Sequence, residues 1–197
     1  MEGPLLALLF LAYLAVAFVW PSVRVWRQTG LNPYVLPSTD DAYGFVTSGF
    51  RLVLAGLGLY LVAQAFRSDV DRLLGVLEWM AHPTVRLAGW ALLIASLLWT
   101  VVAQSQMGRS WRIGIDHEHG TPLVTSGLYA WSRNPIFLGM RLSMLGLLLL
   151  RPNALTAAMI VAADVLMQMQ VRLEEAFLLQ RHGARYRDYM RKTRRWL

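Results

Sequence analysis

Two pairs of residues in this chain could do chemistry together. Arg133-Asn134 lies in the turn-rich stretch LVTSGLYAWSRNPIFLG, residues 123–139, and Glu174-Glu175 follows a long apolar segment later in the chain. A guanidinium and an amide on one side, with carboxylates on the other, could enclose a polar ligand. A third cluster, Asp116-His117-Glu118-His119, combines imidazoles and carboxylates, groups that suit zinc or manganese. Its adjacent spacing lacks the one-face geometry of His-x-x-x-His, so a solvated loop is predicted and no metal site is assigned. His82 before Pro83 and His182 before Gly183 read as helix-end residues. Cysteine is absent, which excludes disulfides, thiolate nucleophiles and Cys-ligated metals.

The elements that must position these residues are apolar helices. The chain has 197 residues, 56% of them hydrophobic and 16% charged, outside the range of a soluble globule. A helix needs about 20 apolar residues to cross a bilayer. Pro4–Trp20, Phe50–Phe66, Leu87–Gln104 and Ala154 to about Leu173 approach or meet this, and Ile136–Leu150 is a shorter fifth segment interrupted only by Arg141. The expectation is an all-α integral membrane protein of about five transmembrane helices. Ala15-Val16-Ala17 has the form of a signal cleavage site, but no Lys or Arg precedes it, so a retained helix is predicted.

Arg151-Pro152-Asn153 ends the Ile136–Leu150 segment sharply and Ala154 opens the next, which predicts a tight antiparallel hairpin. From Pro152, Asn134 lies about 27 Å back and Glu174 about 33 Å on at helical rise, so both should reach one level. Arg141 and Asp164 each fall about 17 Å from the turn. Two charges buried at equal depth form either a structural ion pair or an anchor for a ligand's polar group. A short interfacial helix is expected over Ser68–Pro83. The tail after Glu175, with aromatics among arginines, is expected along the headgroups.

Net charge is +7, with Lys192 the single lysine among basic residues that are otherwise arginine. Arginines concentrate in the first loop, the third loop and the tail, whereas Arg67, Arg72, Arg86 and Arg151 alone fall on the opposite side. The positive-inside rule then puts the N-terminus outside and the C-terminus in the cytoplasm. The Arg bias suggests a bacterial plasma membrane. The positive charge is assigned to membrane lipids rather than nucleic acid, and no obligate protein partner is evident.

Leu123 to Tyr129, Arg133 to Gly139, and Glu174-Glu175 followed by Gly183, Tyr186 and Tyr189 resemble the isoprenylcysteine carboxyl methyltransferase family, and more distantly the phospholipid N-methyltransferases. The resemblance covers roughly residues 105–191. It implies a membrane methyltransferase using S-adenosylmethionine on a small lipophilic acceptor, a carboxylate, amine or thiol reached from the bilayer. It divides the chain into N-terminal spans (1–104) and a catalytic subdomain (105–197) built on the helical hairpin. By that resemblance Thr121, Leu123, Val124 and Tyr129 line the cofactor pocket, Asn134, Pro135, Ile136 and Phe137 close it, and Glu174 holds a polar group of the cofactor. Gly127 and Arg133 complete the cofactor set, with Asn134 and Glu174 as the catalytic pair. The chemistry is consistent with this: an acid for the ammonium, the Asn134 amide and loop N–H groups for the carboxylate, and Tyr129 and Phe137 as walls.

Two positions depart from the family pattern. Asn134 stands where the family usually has His. Gln170 stands where prenylcysteine enzymes place an acceptor-contacting Arg, which leaves Arg141 or Arg172 as its possible replacements beside Gln170. The alternative reading is a noncatalytic lipid-binding or carrier protein with a relict cofactor pocket.

Overall fold

The computed structural model describes residues 2–36, 39–67, 69–116 and 118–197. Five apolar helices form the bundle: α1 (Glu2–Thr29), α2 (Ala42–Phe66), α3 (Pro83–Met107), α4 (Pro135–Leu150) and α5 (Ala154–His182). All but α4 are long and apolar enough to cross a membrane. At 16 residues α4 is about 24 Å long, short of the hydrocarbon thickness. A sixth helix, α6 (Ala184–Lys192), follows α5 after Gly183. This is the all-α integral membrane architecture expected from the sequence, with helices longer than the apolar runs that signalled them.

The extensions have local causes. α2 starts at Ala42 because the Asp41 carboxylate caps it, accepting from the Gly44 N–H at 2.9 Å. α1 continues past Pro21 by widening into a π-helical turn over Ala15–Val19. Proline has no N–H to give the carbonyl four residues back and its ring crowds that group. The carbonyl is that of Ala17, within the small-residue triplet, and the Gln104 side-chain amide of α3 donates to it at 2.5 Å.

α3 and α4 pack closely because small residues face each other. A Cβ built on Gly89 would lie 2.9 Å from the Gly146 carbonyl oxygen, and one built on Gly146 would lie 3.1 Å from that of Gly89. Without a hydrophobic force between helices in lipid, such backbone contact is what drives association. The Ser96 and Ser143 hydroxyls add a hydrogen bond of 2.8 Å, an interaction of only about 0.6 kcal/mol between membrane helices.

The hairpin between α4 and α5 closes at Asn153, whose side chain and Thr156 form a reciprocal capping box. The turn is also held from outside. Asp71 Oδ1 accepts from Tyr60 Oη at 2.7 Å and Asn153 Nδ2 at 2.9 Å, while Arg151 approaches Oδ2 at 3.3 Å. This network corrects the expectation of an interfacial helix over Ser68–Pro83; Ser68 itself lies outside the described residues. Only Val70–Leu73 and Glu78–Met80 form single turns. Asp71 is drawn into the bundle, Gly75 reverses the chain at φ +71°, and Leu77 N–H donates to the Pro152 carbonyl instead of continuing a helix.

At the opposite, arginine-rich face, strands β1 (Tyr34–Val35) and β2 (Ile113–Gly114) pair in parallel and tie the first loop to the third. The tail is packed onto the protein by its aromatic residues. In α6 the rings of Tyr186 and Tyr189 are buried against the protein, and Tyr189 Oη donates to the Tyr129 carbonyl at 2.5 Å.

Candidate functional site

A cavity of about 610 Å³ runs through the bundle, within the range of small-molecule sites. On α5 it is lined by Ala163, Met167, Gln170, Glu174 and Phe177, residues three or four apart that share one helical face. On α4 its lining extends from Pro135 to Leu147, about 18 Å of helix. The cavity is polar at the arginine-rich face, where Asn134, Arg133, Gln170 and Glu174 meet the loop. Farther in it is apolar, between Leu6, Phe10, Leu57, Leu93, Met144 and Leu147.

The loop wall comes from Thr121, Leu123, Val124 and Tyr129. A short turn over Gly127–Ala130 presents Tyr129, and its first residue needs φ +63°. Gly127 itself does not line the cavity; it lies against the Gln106 side chain, whose Oε1 accepts the Leu128 N–H at 2.8 Å. Tyr129 is 6% exposed and its hydroxyl is buried without a hydrogen-bond partner. Burial first, then the charge of Glu174 and the neighbouring Tyr189, push this phenol far above its usual range, so it remains a neutral donor.

Pro135 at the first position starts α4, a place where its missing N–H costs nothing. The Pro135 carbonyl accepts from Trp99 Nε1 at 2.8 Å, fixing this end of α4 on α3. Asn134 precedes it with no side-chain cap bond, so the amides of Ile136 and Phe137 have no intrahelical acceptor. Pro135, Ile136 and Phe137 all line the cavity.

Adjacent glutamates diverge here. Glu174 faces the cavity, and its Oε1 accepts from Gln170 Nε2 at 2.9 Å. Glu175 turns toward α4. Its carboxylate meets Arg133 Nη2 at 2.9 Å and Arg195 Nη2 at 2.7 Å, and accepts from Asn134 Nδ2 at 3.3 Å. The Asn134 amide also donates to the Arg195 carbonyl at 3.2 Å. Both of its amide hydrogens are therefore engaged by the protein, although Asn134 still lines the cavity.

The hairpin register agrees with the depth arithmetic: Arg141 Nε lies 2.6 Å from Asp164 Oδ1. Trp196 stacks on the same guanidinium, 4.4 Å from its ring centre. Arg141 is thus held in a structural pair and does not line the cavity. Arg172 does not line it either; it is exposed and donates to Gln168 of its own helix. Of the three residues expected to face an acceptor, only Gln170 does.

In the third loop Asp116 is buried, and accepts from the N–H groups of Glu118 and His119 and from Arg112 Nε at 3.2 Å. Burial opposes its charge, but these donors outweigh burial and hold the carboxyl below its usual range. His117 lies outside the described residues, and among those described no cluster of three metal-ligating side chains occurs.

Several site residues carried no signal in the sequence. Arg195, Thr193 and Ser132 join the tail to the 132–134 turn through contacts across about sixty positions. Phe10, Tyr13, Tyr34 and Arg51 reach the cavity from α1, α2 and the first loop. Glu175 was visible only as the neighbour of Glu174; helical rotation of about 100° between them separates their tasks.

A bundle of membrane-length helices around a ligand-sized cavity, polar at one face and apolar within, defines an all-α integral membrane protein. Residues 87–180, from α3 through most of α5, match the model of the isoprenylcysteine carboxyl methyltransferase (ICMT) family. The family implies a methyltransferase. No curated protein matches the chain.

Proposed function

We propose that the chain is an S-adenosylmethionine-dependent methyltransferase acting on a small lipophilic acceptor in the membrane, with its polar cavity end at the cytoplasmic face and its N-terminus outside. The observation that carries this reading is one continuous cavity in which Glu174, the α4 amides and the unpartnered Tyr129 hydroxyl share a wall, and which runs on into an apolar channel.

The residues fit the cofactor's chemistry. Glu174, which accepts from the neutral Gln170, supplies an acid for an ammonium group. The Ile136 and Phe137 amides at the start of α4 suit a carboxylate, because a helix N-terminus presents free donors and a positive dipole end. Tyr129 and Phe137 are aromatic walls suited to adenine and to a sulfonium, and the Tyr129 hydroxyl lacks a partner that a bound ligand would provide. Bound S-adenosylmethionine supplies a methyl group on a cationic sulfur, ready for displacement by a nucleophile.

What the chain contributes beyond binding is placement. The apolar channel takes the acceptor's hydrocarbon, holds its reactive head at the polar end and keeps water out, and such alignment is worth several kcal/mol of barrier. An anionic or neutral amine acceptor needs no dedicated base. Asn134, by tying Glu175 to the tail, positions the turn that opens α4.

Calorimetry on detergent-purified protein is expected to show saturable S-adenosylmethionine binding, weakened at least about tenfold in Glu174→Ala. Membranes given methyl-labelled cofactor should yield a labelled lipid-soluble product. Absence of binding would defeat the proposal; binding with no transfer to any lipid extract would favour a noncatalytic lipid carrier.

A further inference from the structure

We propose that Arg51, on α2 and outside the family-matched segment, is the residue that binds the acceptor's headgroup, and that this headgroup is an anion, a carboxylate or a phosphate. The inference rests on the reading above only in taking the apolar channel as the acceptor's site.

Three cations line the cavity among the described residues: Arg51, Arg112 and Arg133. Arg133 is paired with Glu175 at 2.9 Å and Arg112 with Asp116 at 3.2 Å. Among the described residues the exposed Arg51 side chain meets one polar group, the neutral Tyr34 hydroxyl, with Nη2 donating at 3.3 Å. An arginine on a membrane-embedded helix is costly unless it finds an anion, a water-filled cavity or the interface. Among the described residues Arg51 is thus the one cation on the cavity wall that no carboxylate pairs, and neither Arg141 nor Arg172 lines that wall.

Depth supports the role. α2 and α5 run antiparallel, with Gly49 against Leu166 and Gly56 against Met159. Arg51 is therefore level with Asp164, and Gln170 lies about 9 Å nearer the loop face by helical rise. The Arg51 side chain extends toward Tyr34 in the first loop and so rises along the cavity toward the Gln170 level. A chain lying between Leu57, Leu93 and Met144 would bring its head past this guanidinium, whose planar fork matches carboxylate and phosphate oxygens. Tyr34 is positioned to add a second donor to the same oxygen.

The test is equilibrium binding to full-length protein in nanodiscs without cofactor, using tetradecanoate, tetradecyl phosphate and tetradecanol as probes. The wild type is expected to prefer the anions, and whichever binds more tightly identifies the headgroup chemistry. Arg51→Gln should weaken the anions about tenfold or more while leaving the alcohol unchanged, with Arg51→Lys intermediate because it keeps the charge and loses the fork. Equal losses for all three probes would mean a packing role, and unchanged anion binding, or no binding to the wild type, would equally overturn the proposal. If Arg51→Gln does not fold, Arg51→Lys decides: a selective fall for the anions supports the assignment, and its absence ends it. Cofactor calorimetry, expected to be the same in wild type and Arg51→Gln, reads the methyltransferase proposal separately.

Discussion

Glu174 and Glu175 are consecutive yet serve different structures: the first faces the cavity beside Gln170, while the second is enclosed by Arg133, Arg195 and Asn134. Their substitutions should separate accordingly. Glu175→Ala leaves Arg133, whose side chain is 8% exposed, without its counter-ion, and removing one member of a buried pair costs about 3 kcal/mol. Glu174→Ala removes a cavity carboxylate with one neutral partner and should change stability by no more than about 1 kcal/mol. Melting curves of the detergent-purified variants, set beside their cofactor affinities, test this. The expected pattern is a large melting shift for Glu175→Ala and a large affinity loss with little melting shift for Glu174→Ala. The reverse pattern would exchange their roles.

Tyr129→Phe should have effects of opposite sign on the empty and loaded protein. Its hydroxyl is buried without a partner, a state that costs about 1–3 kcal/mol, so deleting the oxygen should raise the melting temperature of the ligand-free protein. The bond from Tyr189 goes to the Tyr129 backbone carbonyl and survives the change. If the hydroxyl is a ligand donor, cofactor affinity should fall about fivefold to tenfold in the same variant. A variant that gains stability and keeps full affinity would show that the hydroxyl serves no ligand.

The sequence disclosed the helices and the hairpin because both depend on short-range rules. Apolar run length marks a span, and a Pro-Asn turn with matched rise on either side sets which residues share a depth, so the Arg141–Asp164 pair could be anticipated. Depth does not specify rotation about the helix axis. Asn134 was therefore expected at the level of Glu174, and its amide in fact bonds Glu175, one step around the helix. The π-helical turn near Pro21 and the broken segment after Phe66 depend on partners far along the chain, Gln104 in one case and Asn153 with Arg151 in the other. The cavity's apolar half was illegible for the same reason: Leu6 and Leu57 look like any lipid-facing leucine until α1 and α2 are set against α4.

The last residues of the chain act as a strap on the site. The Arg194 carbonyl accepts from the Arg133 N–H at 2.9 Å, Arg195 pairs with Glu175, and Trp196 stacks on Arg141. Deleting residues 194–197 removes all three contacts without touching the cavity wall. Cofactor affinity is expected to fall at least about tenfold, since the Arg133 N–H and the Asn134 amide each lose one acceptor, the Arg194 and Arg195 carbonyls, that helps to orient the start of α4. Trp196→Ala removes only the cation–π contact and should cost about 1 kcal/mol of stability with affinity preserved. Calorimetry on the two variants checks the difference, and a truncated protein with wild-type affinity would remove the strap from the account.

Asp116 gives the third loop a defined acid response. Its carboxyl is held below the usual range by the Glu118 and His119 amides and by Arg112, in spite of burial. A depressed carboxylate contributes stability that is present above its unfolded pKa and is lost as pH falls through the folded one, so the Asp116 contribution to the loop should be lost below about pH 4. Trp111, 3% exposed and adjacent to Arg112, reports the change through its emission. Asp116→Asn keeps an acceptor for the loop amides but discards the charge facing Arg112. Its Trp111 signal should already be partly relaxed at neutral pH and nearly flat on acidification, whereas the wild type changes below about pH 4. Parallel acid profiles in the two proteins would show that another group controls the loop.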